Sequence, residues 1–297
     1  MPRYPFMQVD AFSSRPLAGN ACAVLFDTDA LDAESMQAIA REQNLSETAF
    51  VRRSHVADFG VRYFTPVEEV PLAGHPTIAT ACALVDSGRL ELQGRRTRTT
   101  FELQVGPIDV ELFASDGRLE SVVMAQKKPE FVSEHAPADI LPAFGLGARD
   151  LLDGLPIQVV STGTPQLMVP LKGLDEVRRA VLDIDAYMKL RARCGFFSAH
   201  LFCLQGVSDA GDTFARHYGI PPDLIEDPFT GSATGGMAAY IWHHHLRDVP
   251  RFVAEQGHWM QRPGRASVEV VGPRDDILTV RVGGEAVVVI RGELTLP

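Results

Sequence analysis

The sequence predicts an α+β chain built from two similar halves, each wrapping strands around one buried helix. Three observations point there. The chain has 297 residues, enough for two domains with a core each. Two segments of helical length, 77–85 and 233–242, are small or apolar on every side. A helix with no polar face has to be surrounded by protein. Each of these segments follows a glycine-containing turn and is flanked by strand-like alternation.

In the first half, 7–12 alternates as a strand and stops at Ser13-Ser14-Arg15-Pro16. Ala18-Gly19-Asn20 then makes a tight turn before a strand at 21–26. Residues 32–44 form an amphipathic helix. Met36, Ile39 and Ala40 line its inner face, Glu34, Arg41 and Glu42 face water, and Asp29 or Asp32 serves as cap. Strands follow at 47–53 and 59–65. Pro71-Leu72-Ala73-Gly74-His75-Pro76 leads into the first buried helix, where Pro76 suits the first turn because it has no N–H to leave unpaired, and Gly88 supplies the stop. Strands at 99–105 and 108–113 complete this half, and Lys127-Lys128-Pro129 reads as a linker.

The second half repeats the plan. Strands fall at 157–161 and 166–171, helical periodicity covers 174–190, and a strand lies at 199–205. Glu226-Asp227-Pro228-Phe229-Thr230-Gly231-Ser232 opens the second buried helix, and strands at 267–271, 278–282 and 286–291 close the chain. The expected domains are 1–125 and 126–297, with the last strand free to return to the first domain. The repeat is one of architecture more than of residue identities.

Composition narrows the function. Against 28 Lys and Arg stand 38 Asp and Glu, a formal charge of -10, which argues against nucleic acid or an anionic membrane as partner. No apolar run approaches the roughly 20 residues that span a bilayer, and no apolar signal core opens the chain. Cys22, Cys82, Cys194 and Cys203 are scattered, which fits small core-filling residues in a reducing, cytoplasmic setting. Walker, GxGxxG, HExxH and GxSxG motifs are absent from the sequence. His243-His244-His245 does not read as a metal site, because successive helical side chains diverge by about 100°.

The chemistry-bearing features are the two helix starts and two carboxylates. A helix N-terminus offers unpaired N–H groups and the positive end of its dipole, so it suits a carboxylate ligand. Gly74 and Gly231 let a ligand approach the backbone, and His75, Thr230 and Ser232 add side-chain donors; the alternative is that His75 and Ser232 merely cap their helices. Glu47, in Asn44-Leu45-Ser46-Glu47-Thr48, stands at a helix-to-strand junction where partial desolvation would suit an acid–base group near neutral pH. A solvated loop glutamate fits the spacing equally well. Asp227 is either a site carboxylate or a turn-and-cap residue.

Taken together, Val9-Asp10-Ala11-Phe12, Gly19-Asn20, Asn44-Leu45-Ser46-Glu47-Thr48, Phe64-Thr65-Pro66, Ala73-Gly74-His75-Pro76, Glu226-Asp227-Pro228 and Thr230-Gly231-Ser232-Ala233 resemble, in order, the PhzF-like family of phenazine biosynthesis. That resemblance implies the diaminopimelate epimerase-like fold: two domains, each a curved, barrel-like, mostly antiparallel sheet around a central helix, with the active site between them. It also implies a homodimer, no cofactor, no metal, and a small carboxylate substrate such as trans-2,3-dihydro-3-hydroxyanthranilate. By matching position, Glu47 would shuttle the proton, and His75 and Asp227 would orient and polarise the substrate. Ser46, Gly74 and Ser232, with Thr230 and Gly231, would bind its polar groups.

Two features depart from the family pattern: Ala21-Cys22 stands where a proline usually follows Gly-Asn, and 241–249 holds extra sequence. The two-thiol racemases of this fold need a cysteine at each buried helix start, where this chain has Gly74-His75 and Gly231-Ser232. The expected function is therefore an isomerase. A non-catalytic binding protein on the same fold and a metal-independent epimerase or lyase are its alternatives.

Overall fold

The computed structural model describes residues 1–221 and 225–296. In chain order its elements are β1 (Arg3–Ala11), β2 (Asn20–Leu25), α1 (Ala33–Gln43), β3 (Glu47–Arg52), β4 (Phe59–Phe64), β5 (Glu69–Val70), α2 (Gly74–Asp86), β6 (Arg96–Leu103), β7 (Gly106–Ser115) and β8 (Arg118–Ala125). They continue with β9 (Glu130–His135), α3 (Pro137–Ile140), β10 (Ile157–Ser161), β11 (Pro165–Pro170), α4 (Leu174–Arg179), α5 (Ile184–Cys194), β12 (Ser198–Cys203), β13 (Thr213–Tyr218) and β14 (Glu226–Asp227). The chain ends with α6 (Gly231–His243), β15 (Arg251–Gln256), β16 (Gly264–Val271), β17 (Thr279–Gly284) and β18 (Ala286–Thr295).

The chain divides into two units, Met1–Ala125 with Gly283–Pro297, and Gln126–Val282. The closing strand thus groups with the first stretch, because β18 pairs antiparallel with β1 over its whole length, from Arg3↔Thr295 to Ala11↔Ala286. In unit 1, β1 pairs antiparallel with β2, β2 parallel with β3, β3 antiparallel with β4, β4 antiparallel with β5 and parallel with β6, and β6 antiparallel with β7. Unit 2 repeats that list term by term for β10 to β16. β9 lies on β10 as β18 lies on β1.

A parallel pair needs a crossover long enough to hold a helix. Each unit has two such pairs, and the helices follow from them. The first crossover carries α1 in unit 1 and α4 with α5 in unit 2. The second carries the central helix, α2 or α6. Met36, Ile39 and Ala40 of α1 pack with Tyr4, Ala23, Leu25, Phe50 and Phe64, while Tyr187 and Leu190 of α5 pack with Phe144, Leu167, Ala199 and Leu201. Strands covered on both faces lose the polar alternation of half-exposed ones. That is why β2 and β12 are buried at all six positions.

The central helices take their sequence from this enclosure. Ten of the thirteen residues of α2, from His75 to Leu84, are buried, and ten of the thirteen of α6, Gly231 and Ala233 to Ile241, are buried. Glycine inside α6 marks close approach. A Cβ on Gly235 would run into the Gln126 side-chain amide, and one on Gly236 would meet Met168 Cε at 2.8 Å.

The expected helix over 174–190 is two helices. Ala180 leaves helical geometry with ψ 127°, and its carbonyl accepts from Arg216 Nη1 at 2.8 Å. Asp183 then starts α5 afresh by accepting from the Ala186 N–H at 3.0 Å.

Candidate active site

In unit 1 the site residues come from three junctions. Asp10 Oδ2 accepts from the Leu17 N–H at 2.7 Å and ties down the loop leading to Gly19. Gly19 sits at φ 60°, where a Cβ would collide with the Ala11 carbonyl, so glycine is required before Asn20 opens β2. Asn44 ends α1 in the left-handed region at φ 51° and turns the chain through Leu45 and half-buried Ser46 into Glu47, the first residue of β3. Ala73, in extended geometry, begins α2 and brings Gly74 and His75 to its first turn.

These junctions converge on one chain of polar atoms. Glu47 Oε2 lies 3.3 Å from His75 Nε2, and His75 Nδ1 lies 3.2 Å from the Asn20 side-chain nitrogen. The Nε2–Oε2 separation is a close approach without hydrogen-bond geometry, and Nε2 makes no hydrogen bond to any described residue. Apo sites often hold such contacts loosely until substrate binds. His75 is 4% exposed, and burial pushes its pKa down to about 3, opposed by a hydrogen bond with the Ala21 backbone. The imidazole is therefore neutral at physiological pH. Glu47 keeps a 20% exposed side chain, neither buried in apolar surroundings nor free in solvent. The reading of it as a solvated loop residue does not hold.

The helix starts are not capped by the residues named as possible caps. α2 has no side-chain cap, so the alternative role for His75 falls away. Behind it, the Thr77 hydroxyl donates to the Ala73 carbonyl at 2.7 Å and accepts from the Tyr63 hydroxyl at 2.9 Å.

In unit 2, Asp227 ends β14 and is 5% exposed. Its Oδ2 accepts a short hydrogen bond from the Thr230 hydroxyl, and its backbone carbonyl accepts from Gln256 Nε2 at 2.7 Å. Gln256 Oε1 takes the Thr230 N–H at 3.2 Å, which sets the entry into α6. Gly231 is buried and its carbonyl accepts from Gln126 Nε2 at 2.8 Å, while Gln166 Nε2 donates to Ser232 Oγ at 3.1 Å. α6 also lacks a side-chain cap, so Ser232 is oriented by Gln166 and does not serve the helix start.

The duplicated pairing lets the two starts be compared residue by residue. Arg62 holds Glu69 through two hydrogen bonds of 2.7 Å, and Arg216 holds Glu226 through bonds of 2.8 and 2.7 Å. Five residues after each glutamate comes the helix glycine, Gly74 or Gly231. In this frame Ser232 stands where unit 1 has His75, Thr230 where it has Ala73, and Asp227 where it has Val70. Glu47 is the first residue of β3, paired with Cys22, and its counterpart Ser198 is the first residue of β12, paired with Gln166. Ser198 is fully buried and its hydroxyl makes no hydrogen bond to another described residue. A serine offers no carboxylate, so the duplicated frame carries one carboxylate at this position.

The structure brings Glu47 and His75 together, and separately Asp227, Thr230, Gly231 and Ser232. Asn20, Gln126, Gln166 and Gln256 were missed as orienting groups. Asn20 had a signal in its Gly19-Asn20 turn; the glutamines had none, because strand register alone decides what they meet. Elsewhere, His243 Nδ1 meets the Arg274 carbonyl and His244 Nε2 meets Gln158 Oε1, each at 3.0 Å. Among the described residues no group of three or more His, Cys, Asp or Glu is placed to hold a metal ion. Nor is any described helix long and apolar enough to cross a membrane.

The family model for phenazine biosynthesis-like proteins, PhzC-PhzF, matches residues 9–292. The trans-2,3-dihydro-3-hydroxyanthranilate isomerase of Pseudomonas aeruginosa is 33% identical over 300 residues, covering 98% of this chain and 99% of that protein. A crystal structure of a PhzF-family phenazine biosynthesis protein from Bacillus anthracis matches with a TM-score of 0.89 at 31% identity, covering 100% of both chains. A hydroxyproline epimerase from Agrobacterium vitis shares the fold alone, with a TM-score of 0.69 at 12% identity over 98% of this chain and 92% of that one. The two units, each with its strands and one buried central helix, have the epimerase-like fold that the sequence motifs implied. This chain is an isomerase and belongs to the PhzC-PhzF family of phenazine biosynthesis-like proteins.

Proposed function

We propose that the protein is a cofactor-independent isomerase that moves a proton within a small carboxylate, trans-2,3-dihydro-3-hydroxyanthranilate or a related metabolite, using Glu47 as its single acid–base group. The observation that carries this reading is the mostly buried Glu47 carboxylate 3.3 Å from the buried, neutral His75 ring. A carboxylate so placed takes a proton from carbon, holds it as the carboxylic acid, and returns it to another carbon of the same conjugated system. Such transfer by a positioned group contributes about 10²–10⁴-fold. A neutral imidazole beside it is a donor that does not lock the carboxyl in its charged form, as an imidazolium would.

Asp227 and His75 orient and polarise the substrate in this reading. Ser46, Gly74, Thr230, Gly231 and Ser232 bind its polar groups, with the open helix starts suited to a carboxylate. The serine at position 198 supports one base over two. A homodimer and a cytoplasmic location belong to the same proposal, the latter in keeping with four free cysteines.

The test is incubation in deuterated water with a panel of small carboxylates that includes trans-2,3-dihydro-3-hydroxyanthranilate, read by mass spectrometry. Isomerised product, deuterated at carbon when exchange with solvent competes with return of the proton, is the expected result. Ligand-induced stabilisation with no product and no label from any panel member would instead favour a binding protein.

A further inference from the structure

His75 has two ring nitrogens with two different neighbours, and the function of the site depends on which carries the proton. A neutral imidazole has one N–H and one lone pair. Nε2 faces Glu47 at 3.3 Å and Nδ1 faces the Asn20 side-chain nitrogen at 3.2 Å. An amide NH₂ has hydrogens to give and no lone pair to offer, so beside it Nδ1 has to accept. Asn20 is itself 1% exposed, at the start of β2, so its amide does not trade this contact for bulk water.

We propose that Asn20 is a positioning residue for the isomerisation: its side-chain amide, donating to Nδ1, fixes the neutral His75 ring in the tautomer that carries its proton on Nε2, toward Glu47. In that tautomer Nε2–H faces the Glu47 carboxylate, 3.3 Å away, and is available to developing negative charge on a substrate. In the other, a lone pair would face the carboxylate and repel it. The inference rests on the reading of Glu47 as the acid–base group.

The local frame supports the assignment. Gly19 at φ 60° and the Asp10–Leu17 hydrogen bond fix the approach to β2, and β2 runs parallel to β3, so one strand pair carries both Asn20 and the neighbour of Glu47. The Ala21 backbone contact raises the ring's pKa, as a carbonyl accepting a ring N–H does, and it is the rival influence on the tautomer. In unit 2 the corresponding service is done by Gln166, whose amide donates to Ser232 Oγ at the matching helix position. An amide from the strand ahead of the crossover thus orients the second residue of each central helix.

The experiment reads the tautomer directly. Long-range proton–nitrogen correlation spectra of ¹⁵N-histidine-labelled protein, with the His75 signals assigned by their loss in His75→Gln, show which nitrogen is protonated. The expected wild-type result is a neutral ring with its proton on Nε2; a proton on Nδ1 overturns the proposal whatever the variants do.

Asn20→Leu keeps the side-chain volume, removes the donor and adds no charge. It should move the ring toward the Nδ1–H form and lower kcat on trans-2,3-dihydro-3-hydroxyanthranilate at least tenfold, with KM changed by less than about threefold. An unchanged tautomer, or a changed tautomer with unchanged kcat, also overturns it. If Asn20→Leu does not fold, the wild-type spectrum still decides. The spectrum needs no substrate, so full activity of Glu47→Gln would remove the acid–base reading while leaving the tautomer result standing.

Discussion

At the residue scale, the site is set by how burial treats each ionisable group. His75 is held neutral because charging it inside the protein costs more than its surroundings return. Its ring therefore contributes no inflection to the activity profile between pH 4 and 9. A pH–rate profile of kcat/KM for wild type and His75→Gln checks this: the variant should be slower throughout, with inflections at the same pH values. An inflection near pH 6.5 present only in the wild type would contradict it. The sequence displayed Glu47 and His75 as residues but left their roles open, because spacing does not tell a desolvated carboxylate from a solvated one. What distinguishes them is the contact between the first residue of β3 and the second residue of α2, formed across 28 positions of chain. Asn20 was legible as a turn residue and illegible as a histidine partner for the same reason.

At the scale of elements, the buried helices were the clearest features of the sequence, since a segment with no polar face leaves few alternatives. Their enclosure also reverses an ordinary expectation about glycine. Replacing a helical glycine by alanine normally stabilises by up to about 1 kcal/mol. Gly235→Ala should instead destabilise by about 1–3 kcal/mol, because the new methyl displaces the Gln126 amide that holds the Gly231 carbonyl. Urea unfolding checks this, and an equal or higher midpoint would show that the helix start does not depend on Gln126. The elements the sequence did not display have physical reasons of their own. β5 and β14 are two residues long, too short for any period. The strands β13 and β15 give no strand signal in the sequence because their alternation is broken by burial on both faces and by polar residues such as His217, Glu255 and Gln256. The single helix expected over 174–190 is divided where Arg216, a residue of a distant strand, captures the Ala180 carbonyl.

At the scale of the molecule, duplication is the organising fact: two units with one pairing order, one bidentate Arg–Glu pair each, and one central helix each. The sequence showed the repeat as an echo of architecture, and strand pairing makes it exact enough to compare positions. The closing strand of the chain takes in unit 1 the place that β9 takes in unit 2, which a linear reading of boundaries left as an option. The buried histidines give the fold its acid sensitivity. Burial lowers His75 and His217 to about 3 and holds His200 well below its usual value, with the His200 and His217 Nδ1 atoms 3.2 Å apart. Their folded pKa values lie below the unfolded one of about 6.5. Above that pH both states are neutral and the stability is complete. As pH falls from 6.5 toward 3 the unfolded chain takes up protons that the fold refuses, and each ring costs up to about 1.4 kcal/mol per pH unit. Urea midpoints should therefore be lower at pH 5 than at pH 7, and an unchanged midpoint would mean that these rings protonate in place.

The central claim is that one carboxylate carries the proton, and Glu47→Gln tests it most directly. The exchange keeps the size and hydrogen-bonding reach of the side chain and removes only its ability to take a proton. Wild type and variant are compared for turnover of trans-2,3-dihydro-3-hydroxyanthranilate in deuterated water, with ligand-induced thermal stabilisation measured alongside. The account predicts that the variant binds the ligand as the wild type does and loses turnover by at least about 10²-fold. Turnover within a few-fold of wild type would place the proton elsewhere and contradict it.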